Sequence, residues 1–161
     1  MEDGKGKEKK MKVMIAIDGS ECSHYALQWA IVNLHETIAS SELFIFTVQT
    51  VTDFIYANVS THGFPHPDLT KAILEDKKKA ASALLDQAKC ICVEHGIVAQ
   101  TVTDIGDPKE KICEAAEKIN VQLLILGSHS RGAIKRAFLG SVSNQCVHNA
   151  KCSVLVVKQR V

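Results

Sequence analysis

The chain has 161 residues, enough for one domain whose core needs no disulfide staple. Its hydrophobic fraction of 46% excludes a disordered chain, its apolar runs fall far short of a membrane span, and its charged start lacks a signal-like apolar segment. The net charge is +1, and the first twelve residues hold five lysines against three acidic residues, which leaves the body at −1. That balance argues against a nucleic-acid binder, which carries a strongly basic face.

Residues 1–11 form a charged stretch expected to be a disordered tail, and residues 12–161 are expected to form the domain. Val13 to Ile17 is a continuous apolar run of strand length, broken by Asp18-Gly19-Ser20. Ser20 suits a helix N-cap, with Glu21 in the positive first turn and Ala26, Leu27, Ala30, Ile31 and Leu34 following at helical spacing. Leu43 to Val48 is a second apolar strand. Residues 51–69 form a long connection carrying Gly63, Pro65 and Pro67, of a length that in compact domains marks function or mobility. A helix is predicted from about Leu69 to Glu94, with Ile73, Ala80, Leu84, Ala88 and Ile91 on one face and His95-Gly96 ending it.

Ile97 to Thr103 alternates only loosely and reads as a strand near a sheet edge. Asp107-Pro108 starts the next helix, buried through Ile112, Ala115, Ala116 and Ile119. Val121 to Leu126 is the most apolar strand. Residues 127–140 are punctuated by glycine and serine, a short helix runs from Ser141 to about Ala150, and Ser153 to Val157 is the last strand. Five strands with intervening helices and no hairpin signals predict an α/β, doubly wound parallel sheet with helices on both faces.

The six cysteines, Cys22, Cys90, Cys92, Cys113, Cys146 and Cys152, contain no Cys-x-x-Cys pair and read as free thiols of a reducing cytoplasm. His62, His66 and Asp68 are the nearest approach to a ligand cluster, but neither spacing nor secondary structure fixes their geometry, and no metal site is assigned.

In an open parallel sheet, ligands bind beyond the carboxyl ends of the strands where strand order reverses. Asp18 puts a carboxylate at the end of the first strand, and Gly127 lets the backbone turn and approach a ligand at the end of the fourth. Gly140-Ser141 opens the last helix, where unpaired N–H groups and the hydroxyls of Ser141 and Ser143 make a phosphate cradle. The same residues also have plain structural uses: Gly127 as a turn, Ser141 as a helix cap. There is no Walker A sequence and no dinucleotide fingerprint after the first strand.

The run GSHSRGAIKRAFLGSVS at 127–143 resembles the nucleotide-binding segment of the universal stress protein family. Gly127, Gly140 and Ser141 fall at the family spacing, and Ser130 stands where the family has its middle glycine. The start IAIDGSECSHYALQWA (15–30) and the end CSVLVVK (152–158) are similar to the family's first strand and helix and to its last strand, so the resemblance spans about residues 12–158 and fits the plant single-domain members best. It implies a Rossmann-like sheet of order 3-2-1-4-5. It also implies that Asp18, with the backbone of Ala16 and Ile17, meets the adenine edge, and that Val48 packs on the base. Leu126, Gly127 and Ser130 would line the ribose and phosphates, Arg131 would pair with a phosphate, and Gly140, Ser141, Val142 and Ser143 would cap the phosphates. A serine at 130 in a left-handed conformation would cost roughly 1–2 kcal/mol.

The implied function is adenine-nucleotide binding, ATP or AMP, with Mg accompanying ATP, in a cytoplasmic stress-response protein without catalysis or with slow ATP hydrolysis at most. The resemblance also implies a homodimer through the strand 153–157, with neither nucleic acid nor membrane as partner. The alternative is a dimeric protein-interaction or chaperone-like module with weak or no nucleotide binding, which Ser130 in place of glycine favours. A phosphoacceptor or flavin-binding protein of similar topology is disfavoured, because Asp18 has no adjoining acidic pair.

Overall fold

The computed structural model of the chain describes residues 8–50, 63, 67–129 and 139–160. Five strands, β1 (Lys12–Ala16), β2 (Glu42–Gln49), β3 (Ala99–Ile105), β4 (Leu123–Gly127) and β5 (Ser153–Val157), form one parallel sheet of order β3-β2-β1-β4-β5. Among the described residues the helices are α1 (Glu21–Asn33), α2 (His35–Ala39), α3 (Pro67–Glu94), α4 (Pro108–Ile119) and α5 (Ser141–Asn149).

The central strand explains the layering. Side chains alternate along a strand, so Val13 and Ile15 of β1 face one way and Met14 and Ala16 the other. The first set packs with Leu43 and Ile45 of β2 beneath Ala26, Leu27, Ala30 and Ile31 of α1 and Leu85, Ala88 and Cys92 of α3. The second packs with Phe44, Phe46, Leu124 and Leu126 against Ile112, Ala115 and Ala116 of α4 and Cys146 of α5. Burying side chains of the size of Ile15 or Phe46 contributes about 1.5–3 kcal/mol each.

The ends of the helices follow from local chemistry. Ser20 caps α1, its Oγ accepting from Ser23 N–H at 3.1 Å. Asp107 caps α4 through Oδ1 and Lys109 N–H at 2.9 Å, with Pro108 in the first turn, where no N–H is missed. α3 stops at Gly96, whose φ of +70° is the left-handed turn that glycine adopts freely. Asn120 ends α4 in the same way at φ 60°.

Several elements differ from the expectation. The buried stripe of α3 is Ala81, Leu85, Ala88 and Cys92, whereas Ala80 is exposed and Ile73, Leu84 and Ile91 are half-buried. The helix is therefore turned by about one residue relative to the predicted face. The first helix bends at Leu34 (φ −115°, ψ 26°) into the separate α2, which lets Ile38 be fully buried. Met11, assigned to the tail, belongs to the domain: its carbonyl accepts from Glu42 N–H at 2.9 Å, and it packs against the core. β3 lies at the sheet edge as expected but starts at Ala99, leaving Val98 outside it and 85% exposed. Residues 1–7 of the charged stretch, and most of the connection 51–69 with His62 and His66, lie outside the described residues.

Candidate functional site

β1, β2 and β4 end side by side, and strand order reverses at β1, whose neighbours are β2 on one side and β4 on the other. A cavity of about 520 Å³ opens there. Ala16, Ile17 and Asp18 supply it from β1, Val48 and Gln49 from β2, Leu126, Gly127 and His129 from β4, and Val142 and Ser143 from α5. Lys77, Ala81 and Leu84 of α3 and Pro108 and Ile112 of α4 close its sides. Ten of the twelve residues assigned to nucleotide binding fall in the described regions. Eight of them line this cavity, and Gly140 and Ser141 stand at the start of the helix that borders it. Ser130 and Arg131 lie outside the described residues.

Asp18 is exposed, and its Oδ1 accepts Ser20 N–H at 2.9 Å, a local turn made possible by Gly19 at φ 78°. Asp18 N–H donates to Ser23 Oγ at 3.2 Å, so the carboxylate is fixed relative to the start of α1. Ile17 N–H is committed to the Phe46 carbonyl at 2.9 Å and is not free for a ligand. Val48 is half-buried and Leu126 buried, so with Ile112 they give the cavity an apolar lining.

The end of β4 is tied to α5 through Ser128, which is 3% exposed. Its N–H donates to the Val157 carbonyl of β5 at 3.1 Å. Its carbonyl accepts from Gly140 N–H at 2.7 Å and from Ser143 Oγ at 2.9 Å. Ser143 Oγ also lies 3.0 Å from the Gly140 carbonyl. The Ser143 proton is thus taken by main-chain carbonyls, and toward a ligand this buried hydroxyl offers an acceptor, not the donor expected from the sequence. Ser141 is exposed at the first turn of α5, whose N-cap Gly140 brings no capping side chain, so the positive end of this helix borders the cavity.

Gly127 has a reason the sequence did not display. A Cβ there would lie 2.7 Å from the Cys22 carbonyl oxygen and 2.8 Å from its carbon. The glycine lets the first turn of α1 rest on the end of β4. It is not among the positive-φ residues, so close approach and not an unusual turn demands it.

Lys77 and His129 were not assigned to the site by sequence reasoning, yet both line the cavity. His129 Nδ1 lies 3.0 Å from Ser128 Oγ, which orients the ring. Lys77 sits in a run of three lysines, of which it alone is half-buried. The signal was its position four residues before Ala81, on the buried stripe of α3. Among the described residues no cluster of three or more His, Cys, Asp or Glu can hold a metal ion. A second cavity, of about 560 Å³, lies between the flanks of α1 and α3, lined by His24, Tyr25, Gln28 and Gln87. It gathers no set of strand ends, and the cavity at the strand ends is the better candidate on that ground.

Sheet order, layering and cleft define a Rossmann-like α/β protein with a cavity at its topological switch point. A model of the Universal stress protein family matches residues 10–158, and the chain belongs to that family. It is 32% identical over 148 residues to a universal stress protein of Methanocaldococcus jannaschii, covering 92% of this chain and 82% of that protein. With a Universal stress protein A-like protein of Arabidopsis thaliana it shares 25% identity over 158 residues, covering 92% of this chain and 90% of the relative. Among solved structures, a universal stress protein family protein from Arabidopsis thaliana with AMP bound matches with a TM-score of 0.66 at 22% identity, covering 94% of this chain and 93% of that one. A universal stress protein from Lactobacillus plantarum matches with a TM-score of 0.74 at 18% identity, covering 92% and 98%. Another universal stress protein, in complex with cAMP, matches with a TM-score of 0.62 at 21% identity, covering 92% and 97%.

Proposed function

We propose that this protein binds an adenine nucleotide, ATP or AMP, in the cavity at the ends of β1, β2 and β4, as a non-catalytic component of a stress response. The observation that carries the reading is the convergence of an apolar lining, the fixed carboxylate of Asp18 and the start of α5 on one cavity of about 520 Å³. A nucleotide needs these three things: a dry wall for the base, a hydrogen-bonding group for its edge and a positive pole for its phosphates. The AMP-bound and cAMP-bound relatives support the choice of adenine.

Asp18 and the Ala16–Ile17 backbone serve the base edge, and Val48 packs on its face. Leu126 and Gly127 border the ribose. Ser130 and Arg131 serve the phosphates together with Gly140, Ser141 and Val142, and Ser143 holds the frame of that helix start. Mg accompanies ATP through the phosphates. Slow hydrolysis is the most we assign, because the chain carries no Walker A sequence to cradle and align a γ-phosphate. No helix among the described residues is long and apolar enough to cross a membrane. With six free cysteines, the cytoplasm is the compartment we assign.

Isothermal titration with ATP and AMP tests the site. Asp18→Ala and Gly140→Val each weaken binding, the second because its side chain blocks approach to the α5 N–H groups. Equal affinity in both variants and the wild type refutes the assignment. The second part of the proposal is a homodimer. β5 is an edge strand whose Val154, Leu155 and Val156 are only half-buried, and pairing two copies across a two-fold axis covers that edge. Light scattering at micromolar concentration then gives a dimer for the wild type and a monomer for Val156→Lys. A monomeric wild type contradicts it.

A further inference from the structure

On the sheet face away from α1 and α3, three cysteines gather where α4, α5 and the approach to β5 meet. Cys113 lies on α4, Cys146 on α5 and Cys152 just before β5, all in the cluster around Met14, Phe44 and Leu124. None of them lines the cavity at the strand ends. Cys113 Sγ and Cys146 Sγ are 4.0 Å apart, in S–H···S contact across the helix pair. Cys146 is fully buried, whereas Cys113 and Cys152 are partly open. Burial, with Cys113 and Cys152 adding to it, pushes the Cys146 thiol up to about 12, so it stays protonated at neutral pH. Within this pair Cys113 is the sulfur open to an oxidant from solvent, with the buried Cys146 sulfur held 4.0 Å away.

We infer that Cys113 and Cys146 form a reversible disulfide on exposure to a hydroperoxide, a modification site that pins α4 to α5. In the first step the Cys113 sulfur attacks one peroxide oxygen and the O–O bond breaks. Cys113 becomes a sulfenic acid, and the other oxygen leaves as water or alcohol with the thiol proton. In the second step the Cys146 sulfur attacks the sulfenic sulfur, the S–O bond breaks, and hydroxide leaves with the Cys146 proton as water. Two thiols lose two electrons, and the hydroperoxide gains them. The sulfurs must close from 4.0 Å to a bond of about 2.05 Å, a movement within reach of side-chain rotation and a small helix shift. A thiol reductant reverses the step by exchange.

The experiment uses the full chain, folded, with hydrogen peroxide as the probe, alkylation of remaining thiols and tryptic mapping without reductant. Cys113, Cys146 and Cys152 fall on three separate tryptic peptides, 112–118, 137–151 and 152–158. The expected product joins 112–118 to 137–151 within one chain, leaves 152–158 alkylated and disappears on adding dithiothreitol. The melting temperature of the oxidised protein rises by several degrees, since closing a loop of this length restricts the unfolded chain. Cys152→Ser keeps the crosslink. Cys146→Ala abolishes it and leaves a Cys113 sulfenic acid that dimedone traps. Should Cys146→Ala not fold, the wild-type map and Cys152→Ser still decide. A crosslink from Cys113 to Cys152, crosslinks only between chains, or three unlinked thiols at a peroxide dose that oxidises exposed Cys90 overturns the inference.

Discussion

Replacing Gly127 by alanine tests the packing of α1 on the sheet at the point where the site is built. The added Cβ would stand 2.7 Å from the Cys22 oxygen, 2.8 Å from its carbon and 3.1 Å from Ser23 N. All three are backbone atoms, so no side chain can rotate out of the way, and the first turn of α1 must move. Overpacking of this kind costs about 1–3 kcal/mol. Near 2 kcal/mol, a domain of this size melts about 4–8 °C lower. The displaced turn carries Ser23, which accepts from Asp18 N–H, so nucleotide affinity falls along with stability. Gly96→Ala is the control: φ there is +70°, and a Cβ would meet nothing within 4 Å. That variant bears only the strain of a left-handed alanine, about 1 kcal/mol, and leaves nucleotide affinity unchanged. Thermal melts by circular dichroism and ATP titration of both proteins read the difference. A Gly127→Ala protein that melts within a degree of wild type, or no lower than Gly96→Ala, refutes the argument.

Ser143→Ala removes the hydroxyl between β4 and α5, but the Ser128 carbonyl keeps Gly140 N–H and the Gly140 carbonyl keeps Asn144 N–H. Only the net value of a hydrogen bond is lost, about 1 kcal/mol, and the melting temperature drops about 2–4 °C; a drop above 10 °C contradicts this. Burial raises the Cys92 thiol from its ordinary 9.0 to about 11. The unfolded thiol ionises first, so Cys92 leaves stability intact below pH 9 and lowers it as the pH climbs toward 11, by about 1.4 kcal/mol per unit. In urea denaturation from pH 7 to 10.5, Cys92→Ala should therefore lose stability less steeply above pH 9 than the wild type; parallel slopes reject the linkage.

The apolar runs of β1, β2 and β4 were legible because a strand buried on both faces leaves little room for polar residues, and the same feature made the parallel pairing readable, while the strand order came with the family resemblance. The phase of α3 was not. Alanines and leucines lie at both 80/84 and 81/85, and only the sheet decides which pair faces inward. The bend at Leu34 carries neither glycine nor proline, so nothing local marks it. At the site, Asp18 and Gly140 could be placed from strand ends and helix starts. Ser128 could not, because its importance lies in main-chain contacts to β5 and α5, which are distant in sequence and depend on the finished fold.

The pairing of β1 with β4 has a consequence for how the protein is made. Val13 of β1 aligns with Leu123 of β4, 110 positions further along the chain, and Gln122 N–H donates to the Lys12 carbonyl at the same distance in sequence. At about 5–20 residues per second, the ribosome delivers the second partner roughly 5–20 s after the first. Until then β1, although it becomes the middle of the sheet, is an open edge of valine, methionine and isoleucine. β2 can cover one side early, since Lys12 pairs with Glu42. The nascent chain thus passes through a stage whose stickiest surface is the one that ends deepest inside, and a chain interrupted before residue 123 retains that surface for good.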